Sequence, residues 1–79
     1  MAKLVDGEEF GVVLVPSTSA ALRAERVLQK AGLAVRLIPV PRELSNNCGI
    51  AARIAWGERE SVTAALQAAG VEMDAIHHL

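Results

Sequence analysis

The chain has 79 residues, 52% hydrophobic and 22% charged, with a net charge of −1. That length holds one domain, which buries only about 60% of the surface its unfolded form exposes. The balance excludes a disordered chain and offers no basic patch for nucleic acid. No apolar run approaches the ~18 residues of a membrane span, and Met1-Ala2-Lys3-Leu4-Val5-Asp6 lacks the apolar region of a signal peptide. One cysteine makes no internal disulfide, so a reducing, cytoplasmic setting is expected. Phe10 and Trp56 are the only aromatic residues. The core must come from Val, Leu, Ile and Ala, and so lean a core leaves homodimerisation open as a further source of stability.

Residues 1–10 read as a lead-in, and 11–79 as a single domain. Val12-Val13-Leu14-Val15 is a continuous apolar run, the mark of a strand buried on both faces. Pro16-Ser17-Thr18-Ser19 supplies hydroxyls for a helix start. A helix from Ala20 to Ala31 follows, with Ala20, Ala24, Val27, Leu28 and Ala31 on its apolar stripe, and Gly32 ends it. Val35 to Ile38 forms a second strand, which Pro39 and Pro41 assign to an edge. After a long polar loop from Pro41 to Gly49, Ile50, Ala52, Ile54 and Trp56 alternate with Ala51, Arg53 and Ala55 as a third strand. Arg53 therefore faces away from the core, exposed or at an interface. A second helix runs from Glu58 to Ala69, with Val62, Ala65, Leu66 and Ala69 on one face and Gly70 at its end. Val71 to His77 is the last strand, in which Met73 and Ile76 cannot share a face without a bulge.

The two halves echo each other. A shift of 38 residues, the separation of Gly32 and Gly70, pairs Ala24 with Val62, Leu28 with Leu66, Val35 with Met73 and Ile38 with Ile76. Two such βαβ halves predict an α+β, ferredoxin-like βαββαβ sandwich: a four-stranded antiparallel sheet with both helices on one face.

In that topology the start of the third strand lies beside the end of the first. Cys48 is then expected near the Pro16–Ser19 turn and the N-terminus of the first helix, whose partial positive charge favours a thiolate. Asn46, Asn47 and Gly49 make a small, polar approach to it. Arg42 either adds a cation or is a solvated surface residue. Against this stands the ordinary behaviour of a free cysteine, which is that of a small buried hydrophobe. His77 and His78, adjacent on a strand, face opposite ways and read as a solvated tail at the far pole. Trp56 is expected to cap the core at that same pole. The sequence shows no phosphate loop, Ser-His-Asp set or carboxylate pair, and nothing calls for a cofactor or metal.

The stretch Pro41-Arg42-Glu43-Leu44-Ser45-Asn46-Asn47-Cys48-Gly49 matches the pattern P-R-x-L-S-x-x-C-G, and Ala21 to Gly32 matches A-L-x-A-E-x-x-L-x-x-A-G. On these motifs the chain, from about Gly11 to Ile76, resembles a family of small domains described as Se/S carrier protein-like. The lead-in and the His77-His78-Leu79 tail read as departures from the pattern. The resemblance implies that Cys48 carries sulfur or selenium as a persulfide or selenopersulfide between donor and acceptor proteins. Arg42, Ser45 and Gly49 then shape its loop, Asn46 and Asn47 flank it, and Ser17 and Thr18 supply the facing turn. Such a protein is a carrier rather than a free-standing enzyme. The alternative is a ferredoxin-like interaction or ligand-binding module in which Cys48 is structural.

Overall fold

Among the described residues, six α-helices and β-strands follow one another along the chain. They are β1 (Phe10–Leu14), α1 (Thr18–Lys30), β2 (Val35–Pro39), β3 (Ile50–Ala55), α2 (Arg59–Ala68) and β4 (Ala75–His78). The computed structural model describes residues 9–41, 44 and 49–79. The strands form one sheet in the order β2-β3-β1-β4, with every neighbouring pair antiparallel. That is the order of the split βαβ arrangement, and β2 lies at an edge as Pro39 requires.

α1 starts where its hydroxyls allow. Ser17 is extended, with φ −154° and ψ 162°, and its Oγ accepts from the Ala20 N–H at 3.1 Å. This satisfies one of the orphan donors of the first turn. Ser17→Ala is expected to cost about 0.5–2 kcal/mol, read as a lower urea midpoint. An unchanged midpoint would mean that the cap contributes nothing to stability.

The internal echo extends to the hydrogen bonds that end both helices. Leu33 N–H donates to the Leu28 carbonyl and Gly32 N–H to that of Gln29. In α2, Val71 N–H donates to Leu66 and Gly70 N–H to Gln67. Both are Schellman ends, and both turn on a glycine with positive φ, +79° at Gly32 and +73° at Gly70. The stripes are shorter than the periodicity suggests. Ala31 and Ala69 are capping residues exposed to solvent, whereas Ala21 is wholly buried.

Both helices pack on one face of the sheet. Ala21, Ala24 and Leu28 of α1 and Val62 and Leu66 of α2 meet Val13, Ala52 and Ile54 there. A second, smaller cluster lies on the opposite face, where Val12, Leu14 and Ala51 pack with Ile38, Val40, Leu44 and Ala75. Val40 and Leu44 belong to the connection between β2 and β3, so these two residues of it cover the face without helices. Ala51 is fully buried as a result. Period-two reasoning assigns it to the outer face, and the outer face is covered at this point.

Two sequence expectations are corrected at the last strand and at the end of the third. β4 is only four residues long, and 71–74 lie outside it. The parity conflict between Met73 and Ile76 therefore disappears, because Met73 precedes the strand. The echo also fails here: Ile38 faces the smaller cluster while Ile76 packs with the helices. Trp56 leaves β3 and opens a short 3₁₀ turn, Trp56–Glu58.

Candidate functional site

The described part of the loop motif sits at the end of the sheet where β1 stops and β3 starts. Leu14 pairs with Ala51 in the register of these strands. Ser17, three residues past Leu14, and Gly49, two residues before Ala51, therefore flank the same sheet end, from which α1 departs. Gly49 has φ +83°, a conformation that side-chain-bearing residues rarely adopt, and a Cβ there would meet nothing within 4 Å. Its carbonyl accepts from the Val40 N–H at 3.1 Å, which ties the two ends of the connection together. Between them, Leu44 N–H donates to the Pro41 carbonyl at 2.9 Å, and the Leu44 side chain packs against the smaller core cluster. Of the motif residues, Pro41 and Leu44 are thus scaffold.

Ser17, Thr18 and Gly49 are the expected site residues that fall among those described. The Ser17 hydroxyl already acts as a helix cap, and Thr18 is the first residue of α1. Cys48, Arg42, Ser45, Asn46 and Asn47 lie outside the described residues. An apolar concavity of about 230 Å³ adjoins Gly49, lined by Leu37, Ile38, Pro39 and Ile50 along the β2 edge. Sequence reasoning missed this feature. The available signal was Pro39, which breaks the run of N–H donors on that edge.

At the opposite end of the sheet the structure corrects the reading of His77-His78 as a solvated tail. Both residues belong to β4. His78 stacks on Trp56 with ring centroids 4.2 Å apart and planes 7° from parallel, and its Nε2 lies 2.7 Å from Glu9 Oε1. The Arg59 guanidinium covers Trp56, 4.6 Å from the ring, and donates to its carbonyl at 2.8 Å. Arg59, Trp56, His78 and Glu9 thus form one continuous set of contacts closing that end of the core. No group of His, Cys, Asp and Glu able to hold a metal occurs among the described residues. No helix there is long and apolar enough to cross a membrane.

The architecture defines a small α+β domain of ferredoxin-like order, with Val40 and Gly49 hydrogen-bonded to each other at one end of its sheet. The chain belongs to the family described as "Putative Se/S carrier protein-like", whose model matches residues 10–78. The match begins with β1 and takes in His77 and His78, which the motif comparison leaves outside the pattern. No curated protein and no solved structure matches the chain.

Proposed function

We propose that the protein carries sulfur or selenium on Cys48, receiving it from a donor protein and passing it to an acceptor. The observation behind this reading is the family match across residues 10–78, a span that contains the only cysteine of the chain. The Cys48 thiolate attacks the terminal sulfur of a donor persulfide. A new sulfur–sulfur bond forms at Cys48, the donor's bond breaks, and the donor leaves as a thiolate. Delivery repeats the exchange in the other direction, so each step is redox-neutral. Selenium follows the same course as a selenopersulfide.

A lone thiol suits this chemistry, because a second cysteine close by would expel the cargo by forming a disulfide. The turn at Ser17 and the start of α1 flank the sheet end that Gly49 enters, which supports a role for the helix terminus in favouring the thiolate. The apolar concavity lined by Gly49 and the adjoining β2 residues supports docking of a partner beside the residue that follows Cys48 in the chain. Donor and acceptor supply the catalysis, and the reducing cytoplasm is the compartment that keeps the thiol available.

The test is loading from glutathione persulfide followed by intact-mass analysis. The parent is expected to gain one sulfur atom that a reductant removes, and Cys48→Ser to gain none while melting like the parent. In parallel, alkylation of Cys48 should show a midpoint below the ~8.5 of a free thiol. Equal loading of the Cys48→Ser variant, or a thiol that reacts only after unfolding, would overturn the reading.

A further inference from the structure

The helix-free face of the sheet carries two arginines opposite each other. Arg36 of β2 and Arg53 of β3 are direct cross-strand partners. By the alternation of β3, both side chains project on the face where Ala51 is packed, away from the helices. Their Cβ atoms are then about 4.5–5.5 Å apart. Like charges directly opposite on a sheet repel, and among the described residues no carboxylate pairs with either one: the ion pair there is that of Glu9 with His78. Arg53 is half-buried, and its guanidinium lies 4.3 Å from the centre of the Phe10 ring. That contact fixes the cation over an aromatic platform.

These residues do not lie on a flat surface. Phe10, Arg36 and Arg53 line a concavity of about 400 Å³, closed by Ala34, Val35 and Ala55. This is within the range of small-molecule sites, which run to about 300–1,000 Å³. Two arginines line it, and a guanidinium fork binds a planar or tetrahedral oxyanion through paired N–H donors.

We propose that this concavity binds a small dianion, a phosphate monoester or a dicarboxylate, between Arg36 and Arg53, with Phe10 holding the Arg53 guanidinium in place. The bound anion cancels the repulsion between the two arginines and contributes acceptors that no described residue provides at this position. The site lies on the half of the sheet remote from Gly49, and it does not depend on the reading of Cys48.

The experiment is an NMR titration of the full chain with inorganic phosphate and, separately, with succinate, at ionic strength held constant with sodium chloride. Saturable shifts are expected at Phe10, Arg36 and Arg53, and the stronger of the two anions distinguishes a phosphoryl from a dicarboxylate ligand. Arg53→Gln and Arg36→Glu should each weaken binding at least about tenfold, the loss of one charge-assisted fork. Thermal melts keep the test independent of folding. Arg36→Glu removes the cross-strand repulsion, so it should melt no lower than the parent while failing to bind. Cys48→Ser should bind like the parent. No saturable response to either anion, or equal responses from the parent and both arginine variants, would overturn the proposal.

Discussion

Gly11→Ala is expected to destabilise the domain by about 1–3 kcal/mol, the usual cost of overpacking, and to displace Trp56. Gly11 pairs with Ile54 on one side and His78 on the other, beneath the indole. A Cβ at this position would stand 2.5 Å from Trp56 Cε3, 2.9 Å from Cζ3 and 3.0 Å from the His77 carbonyl oxygen. The carbonyl belongs to the sheet and cannot yield, so the ring must. Its movement breaks the stack on His78 and the contact with Arg59. Trp56 is the only tryptophan, so its emission reports this region alone. A shifted emission maximum in the folded variant, together with a lower melting temperature, is the expected result. Parent-like fluorescence and stability would show that the packing of Trp56 over Gly11 is not tight in solution.

Leu28→Ala is expected to cost about 2–5 kcal/mol. Leu28 is wholly buried in the main cluster, and it is among the largest side chains there. The alanines of the same cluster, Ala20, Ala21, Ala24 and Ala52, are small and cannot extend into the vacated space. A domain of this length has a total stability of only about 4–12 kcal/mol, so the single change removes a large share. Urea unfolding measures it, and a loss below about 1 kcal/mol would mean that α1 shifts to refill the cavity.

The main layer of the fold is legible in the sequence because it rests on two simple periodicities. The β-branched run of β1, the stripe of α1 and the Gly32–Gly70 echo are local signals, and the echo reaches as far as the carbonyls that end each helix. Pro39 marks β2 as an edge by chemistry alone. The second cluster is legible only in part: the unbroken apolar run of β1 marks a strand buried on both faces, but what covers its outer face is hidden for an equally physical reason. Leu44 is one apolar residue in a polar loop, and no periodicity shows that it returns to cover Val12 and Ala51. Trp56 and His78 are similar: each is ambiguous alone, and the sheet order brings them together across about twenty residues of chain. Of the candidate site, the sequence indicates Ser17 through its capping hydroxyl and Gly49 through its place in the motif, while the positive φ of Gly49 is visible only in the structure. The Arg36–Arg53 pairing depends on register between strands, which composition does not reveal.

The covered half of the helix-free face also bears on symmetry. A bare sheet face is a natural surface for a twofold dimer, in which the same patch meets itself. Here Val40 and Leu44 occupy one half of that face. On the other half, an isologous contact centred on Arg36 and Arg53 would bring four guanidinium groups together. Self-association through this face is therefore opposed by bulk at one end and by charge at the other. Of the two sheet edges, β4 is the one whose strand contains no proline, so its row of backbone N–H donors is unbroken.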